Sequence, residues 1–433
     1  MKIVLAEDMV DQCYTEYGTH VNTQRAIPYI YDGMKTVQRR LAYSAIQTKS
    51  LKMVKSANLV GKTIAETHPH GDTTVYNTLV NLVTDPYSLF DKQGNFGFVG
   101  LTTLGAAAMR YTEVRSSRLL REVYAPYVDR VKQLTNTQGY SEPEFFPTMI
   151  PYCLLNGTSG IGVGCRTSIP PISIDSMVEF ISNGGKNFLI PELKSGNLSM
   201  SDVQIERLNS EGVGVAVATA DVTMEMLDGR MSTVIRNTPQ YVKPEMLLSM
   251  FDAELEENLI YIGDIKEKNG RAIVIQRRNN IRRISDQEIF DRVVKYYRKT
   301  VSFKMVAARS NSVLQITPAQ WLEECFGQWN KHAKISIENE LARIALEIKF
   351  EGVREEVLGL VFNNSSLETA RKQFQWDGPK TESEFFFTRP LNRYRTDDLA
   401  NLKVKKASVE VELQDIPNKS IAKMKSFGRF LQK

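Results

Sequence analysis

The sequence predicts an α+β protein of several domains, in which helical regions flank a central region of mixed helix and strand. The chain has 433 residues, 42% of them hydrophobic, which exceeds the usual size of one domain and supplies apolar side chains for a sizeable core. Two patterns support this division: helix, tight turn and helix in the first third, and heptad-like apolar spacing from Ile337 onward. We place the predicted domains at 1–147, 148–316 and 317–433.

Composition indicates an ordinary globular protein of a reducing compartment. Charged residues make up 24% of the chain and the net charge is only +5, so local charge is more informative than the total. The four cysteines are widely spaced without a CxxC pair, which indicates neither a zinc site nor a disulfide framework. The N-terminal apolar run is too short for a signal peptide, and no stretch approaches the ~20 apolar residues of a membrane span. We expect a cytoplasmic protein without a membrane segment.

The first third of the sequence is predicted to form a basic helical region. After an amphipathic segment at 7–22, helices are predicted at 36–47, 57–66 and 73–83, the last two around a His-Pro-His-Gly turn, as in helix-turn-helix or winged-helix DNA readers. Residues 25–62 contain eight basic side chains and one acidic one, Asp32. Such a cluster is typical either of a solvated helical face or of a surface that binds a phosphate backbone.

Three sequence patterns that could suggest small-ligand or metal sites are rejected. The stretch 56–63 lacks the first glycine of a phosphate-binding loop, and the glycines near Gly160 and Gly162 do not match the dinucleotide-binding spacing. His68 and His70 lack a third ligand at suitable spacing, so no metal site is predicted on this chain.

The stretch 105–115 places Arg110 directly before Tyr111, after a run of small residues. A phenol is a weak nucleophile near neutral pH, but an adjacent guanidinium favours the phenolate and balances charge on a phosphoryl group. The ordinary interpretation of one tyrosine among 17 is a partly buried aromatic side chain with a satisfied hydroxyl. The Arg-Tyr pair alone is therefore a weak signal.

Several motifs in one order resemble type IIA DNA topoisomerases, in the breakage-reunion subunit of gyrase and topoisomerase IV. They comprise the Arg-Ala-Ile-Pro and Asp-Gly-Met-Lys segments, the His-Pro-His-Gly-Asp turn, Gln-Gly-Asn-Phe-Gly at 93–97, the Arg-Tyr pair, and Leu-Leu-Asn-Gly-Thr-Ser-Gly-Ile at 154–161. The resemblance implies that Tyr111 is the nucleophile, assisted by Arg110. The implied DNA-binding residues are Arg25, Lys35, Gln38, Arg39, Arg40, Lys55, His68, His70 and Ile161.

This sequence departs from the family pattern at three positions. Gln38 stands where gyrase-type relatives usually have histidine, Tyr31 replaces the usual arginine, and Cys153 replaces a leucine. Ile161 matches the family's isoleucine that wedges between base pairs and bends the duplex, at a cost of a few kcal/mol per unstacked step.

The middle and C-terminal regions match the family more weakly. Strands predicted at 212–222, 233–239 and 271–275, with a helix near 244–255, resemble its tower domain, and residues 266–309 carry thirteen basic against four acidic residues. This basic stretch is either a solvated surface or, as we prefer, a contact with flanking DNA. Residues 117–128 are predicted helical.

Apolar residues from Ile337 to Leu360, then an interruption at 362–390 and a returning helix, predict either a plain helical hairpin or the family's coiled coil and dimerising C-terminal gate. The apolar stripe of the returning helix comprises Leu399, Leu402, Val409 and Leu413.

The resemblance also implies what other chains supply. No Toprim or ATPase domain is found in the sequence and only 420–433 follows the returning helix, so the architecture looks most like the medium subunit of T-even-type phage topoisomerases. We expect double-stranded DNA as substrate, a homodimer of this chain within a heteromeric complex, and Mg²⁺ and ATP on a large ATPase/Toprim subunit. A basic wrapping domain is absent from the sequence, so we expect relaxation without negative supercoiling. The alternative is a non-enzymatic winged-helix DNA-binding or architectural protein.

Overall fold

The computed structural model describes residues 6–49, 51–97, 105–136, 139–193, 196–236, 238, 246–267, 270–278, 283–364, 366–388 and 399–431. The chain forms two compact units, Met1–Trp329 together with Lys423–Lys433, and Asn330–Ala422. Within the described ranges, no helix is both long and apolar enough to cross a membrane.

The described elements mix helices and antiparallel strands, as predicted. The helices are α1 (Ala6–Val21), α2 (Thr36–Thr48), α3 (Ser56–Glu66), α4 (Asp72–Thr84), α5 (Tyr152–Asn156), α6 (Ile174–Ser182), α7 (Asp202–Glu211), α8 (Met246–Met250), α9 (Asp252–Glu256), α10 (Asp286–Tyr296), α11 (Pro318–Asn363), α12 (Leu367–Gln373), α13 (Lys380–Thr388), α14 (Leu399–Gln414) and α15 (Ile416–Leu431).

The strands are β1 (Val54–Lys55), β2 (Phe90–Gln93), β3 (Glu113–Ser116), β4 (Gln133–Thr135), β5 (Ser141–Pro143), β6 (Thr158–Ile161), β7 (Arg166–Ile169), β8 (Asn197–Ser199), β9 (Val213–Thr219), β10 (Asp221–Leu227), β11 (Arg230–Arg236), β12 (Ile260–Glu267), β13 (Gly270–Arg277), β14 (Lys299–Lys304), β15 (Val306–Arg309) and β16 (Ser312–Gln315).

The predicted helices α2, α3 and α4 are confirmed and pack beside a small sheet of order β1-β3-β2. The side chain of Gln38 accepts a hydrogen bond from the Lys35 backbone N–H at 2.9 Å, which caps the N-terminus of α2. The helix ends at Thr48, and the next residue, Lys49, has a left-handed φ of 50°. Apolar residues of these helices share a core with β3 through the fully buried Val114. The sheet thereby fixes the chain immediately after residue 112.

The helix predicted at 117–128 is confirmed only as far as residue 124, and it is not a continuous α-helix. The chain makes a short π-helical turn at Leu120–Tyr124 and a 3-10 turn at Val128–Arg130. Pro126 has no N–H to donate, so it cannot continue the helical hydrogen bonding. Tyr127 then takes a left-handed φ of 67°, which ends any continuous helix.

The central region forms two sheets. The first has order β6-β7-β14-β9-β8 and the second has order β10-β11-β13-β12. The strand predicted at 212–222 is divided at the buried Ala220, because β9 joins the first sheet and β10 the second. Two short helices, α8 and α9, stand in place of the single helix predicted near 244–255. Together with α10 they contribute to the core of the second sheet. Residues 239–245 of these predictions lie outside the described residues.

The second unit is helical. Ile344 and Val357 of the predicted seam on α11 are fully buried. On the returning helix α14, Leu402 and Val409 are buried, whereas Leu399 is 41% exposed. The predicted interruption contains two helices, α12 and α13, whose aromatic residues form a small core with α11. That core consists of Phe350, Val357, Ala370, Phe374, Phe386 and Phe387.

The C-terminal segment predicted as a leftover tail belongs instead to the helix α15. Met424, Phe427 and Leu431 lie in the same core as α2 to α4. The Lys423 ammonium lies 4.7 Å from the Trp329 ring centroid, and the Arg118 guanidinium lies 4.2 Å from that of Phe430. Apolar burial therefore makes residues 423–431 an integral part of the first unit, which amphipathic spacing could have indicated.

Candidate active site

Tyr111 lies on an exposed turn between small residues and β3. Its side chain is 64% exposed, and its backbone N–H donates to the Ala108 carbonyl at 2.8 Å. The guanidinium carbon of Arg110 lies 4.7 Å from the centroid of the Tyr111 ring. The turn therefore presents a phenol hydroxyl and a permanent cation to the same solvent-accessible region.

The exposed turn is anchored by the buried residue that follows it. Thr112 is fully buried, and its hydroxyl donates to Ser56 Oγ at 2.8 Å. The Ser56 backbone N–H in turn donates to the Thr112 carbonyl at 2.9 Å. The Tyr76 hydroxyl donates to the Ala107 carbonyl at 2.5 Å. Helices α3 and α4 thus fix both sides of Tyr111 while its own ring remains accessible.

The glycine-rich approach at 93–97 has a steric reason. Gly94 has a φ of +98°, and a Cβ atom there would lie 2.9 Å from the Tyr111 carbonyl oxygen. Asn95 accepts the Ala107 N–H at 2.9 Å through its carbonyl, and Phe96 is buried. A side chain at Gly94 would therefore displace the backbone of the tyrosine turn.

The histidine turn is connected to α2 through Arg40. Arg40 makes a two-point ion pair with Glu142, with both contacts at 2.7 Å, and its Nη1 lies 2.9 Å from His68 Nδ1. The rings of His68 and His70 are 4.3 Å apart, and His70 is exposed. Burial, followed by the charges of Arg40, His70 and Arg25, lowers the pKa of His68 to about 4. His68 is therefore a neutral side chain at physiological pH.

The hairpin of β6 and β7 presents Ile161, whose side chain is 87% exposed. Lys35 Nζ donates to the Ser159 carbonyl at 2.7 Å, and the Asn22 amide exchanges two hydrogen bonds with the backbone of Val163. A Cβ at Gly160 would collide with the Ala26 carbonyl, so the hairpin packs directly on the π-helical turn Asn22–Ala26. An apolar side chain is thus held outward on a firmly seated hairpin.

The remaining predicted residues differ in their surroundings. Arg25 is exposed in the turn Asn22–Ala26. Arg39 is only 9% exposed, and its Nε contacts the buried Asp32 carboxylate at 2.5 Å. Gln38 caps α2, and Lys55 pairs with Glu113 at 2.6 Å in β1 and β3. Contact with DNA stays a prediction for the whole set.

Sequence reasoning missed the residues that connect distant parts of this site. Glu142 lies 102 positions after Arg40, and Asn22 lies 141 positions before Val163. The family pattern around Asp32 likewise gives no sign of its ion pair with Arg39. No local spacing encodes such pairs, because the fold alone brings them together.

The described residues do not fit a metal site. Nowhere in those ranges do three or more His, Cys, Asp or Glu side chains converge in a group that could hold a metal ion.

A basic helical scaffold and an exposed apolar side chain on an anchored hairpin are typical of proteins that bind nucleic acids. The family of the DNA gyrase/topoisomerase IV A subunits matches residues 25–428. The chain belongs to that family.

The chain is similar to DNA gyrase A subunits of bacteria. The chain is 31% identical over 287 residues to that of Helicobacter pylori, covering 61% of this chain and 34% of the relative. It is 28% identical over 397 residues to that of Halalkalibacterium halodurans, covering 83% and 46%. Identity to the Escherichia coli protein is 32% over 305 residues, covering 62% and 34%. The chain thus spans about a third to just under half of the length of these relatives.

Proposed function

We propose that this chain is the DNA cleavage-rejoining subunit of a type IIA topoisomerase. The observation that carries the proposal is Tyr111, exposed beside Arg110 and anchored by the buried Thr112, in a chain of this family. The Tyr111 oxygen attacks a DNA phosphorus and the bond from phosphorus to the 3′ oxygen breaks. The phenolic proton is lost and the 3′ oxygen takes up a proton. Arg110 balances charge on the phosphoryl group.

Religation is the reverse of this step. The 5′ phosphate stays attached to Tyr111, so the free 3′ hydroxyl can attack it and release the phenol without a separate ligase. Two copies of the chain would cut the two strands, and a second duplex would pass through the break.

The scaffold supports a DNA path across the first unit. We assign α2 to α4 with the sheet β1-β3-β2 as the winged-helix domain that binds the duplex. Arg25, Lys35, His68 and His70 would contact phosphates. Ile161 is assigned as the wedge that bends the duplex, because its exposed apolar side chain sits on an anchored hairpin. The domain limits at 1–147, 148–316 and 317–433 stay predictions.

The proposal requires other chains. Mg²⁺ would neutralise developing charge and ATP would drive strand passage, both bound by a large ATPase/Toprim subunit. Homodimerisation through the second unit would form the exit gate. A cytoplasmic location and closeness to phage-type medium subunits stay predictions.

We propose relaxation, decatenation or unknotting as the outcome, without negative supercoiling. Cleavage, passage and religation suffice for those outcomes, whereas supercoiling against a torsional gradient also requires DNA wrapped with one handedness. Incubation of relaxed plasmid with the reconstituted enzyme and ATP tests this part, and accumulation of negatively supercoiled product would overturn it.

The decisive experiment replaces Tyr111 with Phe and measures denaturant-stable protein-DNA adducts in the presence of the partner subunit. We expect adducts with the wild type and none with Tyr111→Phe, at unchanged DNA affinity. Tyr140→Phe is a matched control, because Tyr140 is also exposed but lies beside β5. Adducts formed by Tyr111→Phe would contradict the assignment. An absence of wild-type adducts, with DNA binding retained, would favour the architectural alternative.

A further inference from the structure

Glu142 reaches the histidine turn through Arg40. Its two carboxylate oxygens accept hydrogen bonds from Arg40 Nε and Nη2, both at 2.7 Å. This two-point pairing uses one edge of the guanidinium and fixes its plane. Both side chains are largely shielded from solvent, with exposures of 18% and 14%, so the pair is weakly screened. Arg40 therefore has one defined orientation.

The orientation of Arg40 determines which nitrogen of His68 carries the proton. Arg40 Nη1 lies 2.9 Å from His68 Nδ1, and a guanidinium can donate hydrogen bonds but cannot accept them. Nδ1 must therefore be the acceptor, which leaves the proton of the neutral ring on Nε2. The low pKa of His68 agrees with this neutral form.

The surroundings of His68 suit a phosphate. The His68 side chain is only 8% exposed, but its ring lies 4.3 Å from that of the exposed His70, and the positive charge of the exposed Arg25 acts on it. In such a position, a neutral ring with a fixed Nε2–H can donate to a phosphate oxygen. A tautomer with its proton on Nδ1 would instead present a lone pair at Nε2 and repel that oxygen.

We infer that Glu142 is a positioning residue: by fixing Arg40, it holds His68 in the tautomer that offers Nε2–H to a DNA phosphate. The inference rests on the proposed function, since the phosphate belongs to the DNA that this chain is proposed to cleave. Without Glu142, the Arg40 guanidinium can rotate away and both tautomers of His68 become accessible.

Nuclear magnetic resonance of ¹⁵N-histidine-labelled protein tests the tautomer directly, and the chain has only four histidines to assign. We expect the wild type to show His68 protonated on Nε2, and Glu142→Gln to show averaged nitrogen shifts. Glu144→Gln is the matched control, because Glu144 accepts from the Tyr29 hydroxyl at 3.0 Å and does not take part in the Arg40 pair. An unchanged His68 tautomer in Glu142→Gln would overturn the inference.

Single-turnover cleavage with the partner subunit tests the consequence. We expect Glu142→Gln to form adducts at least about tenfold more slowly, the order seen when a partner that orients a metal-bound histidine is lost. DNA affinity should be retained, Glu142→Asp should recover part of the rate, and Glu144→Gln should match the wild type. Thermal unfolding of each variant identifies any loss due to misfolding.

The outcomes separate the two ideas. A changed tautomer with an unchanged cleavage rate would overturn the positioning role, while the adducts themselves would still support the proposed function. A wild type that forms no adduct would refute the proposed function and the role of Glu142 in cleavage. The tautomer measurement would still decide whether Glu142 acts on His68.

Discussion

Lys35 Nζ donates a 2.7 Å hydrogen bond to the carbonyl of Ser159, 124 residues away in the chain. The bond joins the start of α2 to the hairpin that carries Ile161. Burial lowers the pKa of Lys35, because it disfavours the charged ammonium. The hydrogen bond to the Ser159 carbonyl offsets part of that cost. A basic residue expected to contact DNA is thus also part of the support for the apolar tip.

Replacing Lys35 with Met should loosen the β6–β7 hairpin, because Met keeps the chain length but donates no hydrogen bond. We expect faster amide hydrogen exchange at 158–169 and weaker DNA binding. Hydrogen-exchange mass spectrometry measures the first effect. Lys52→Met provides a control in the same basic cluster. Equal exchange in the wild type and Lys35→Met would show that the bond does not hold the hairpin.

Replacing Ile161 with Ala should reduce DNA bending without affecting folding. The side chain is 87% exposed, so the free energy of unfolding should change by no more than about 0.5 kcal/mol. Fluorescence energy transfer between the ends of a labelled duplex measures the bend. Val203→Ala is the control, since Val203 is also largely exposed but lies on α7. An undiminished bend would exclude Ile161 as the wedge.

Replacing Asp32 with Asn should destabilise the first unit by roughly 3 kcal/mol or more, because a buried Arg39 would lose its charged partner. Urea unfolding measures the loss. Asp91→Asn is the control, since its pair with Arg115 is exposed and should contribute no more than about 1 kcal/mol. Similar losses in both variants would indicate that the buried pair contributes no more to the free energy of unfolding than the exposed pair.

Asp85 should make the protein less stable as pH rises. Burial raises the pKa of its carboxyl to about 6, although the Tyr152 hydroxyl donates to it at 2.6 Å. The folded state therefore holds a proton that the unfolded chain releases near pH 4. Its contribution, at most about 3 kcal/mol, is present below pH 4 and lost as pH rises through 6.

Replacing Asp85 with Asn removes this titration. Urea unfolding of both proteins between pH 4 and 8 should show the variant gaining stability over the wild type as pH rises. A constant difference across that range would indicate that Asp85 titrates normally.

Local patterns predicted the elements that local forces determine. The helices α2, α3 and α4 follow apolar periodicity, and the motifs around Tyr111 and His68 identified where the candidate site lies. The pairs that organise this site, such as Arg40 with Glu142, depend on the complete fold and leave no trace in spacing. The break at Pro126 is readable from the sequence, because a proline there interrupts the predicted helix. The division of the predicted strand at Ala220 could not be read from the sequence. The alternating pattern is unbroken there and does not show that β9 and β10 join different sheets.

Because the end of α15 belongs to the first unit, the first unit is built from two separate segments of the chain. The second unit, Asn330–Ala422, is an insertion with two connections, and helices α11 and α15 each continue through one of them. One proteolytic nick within the insertion would not release the C-terminal fragment, because Met424, Phe427 and Leu431 would keep it embedded in the core. Clean excision of the insertion requires two cuts, and a shortened version requires a linker that rejoins residue 329 to residue 423.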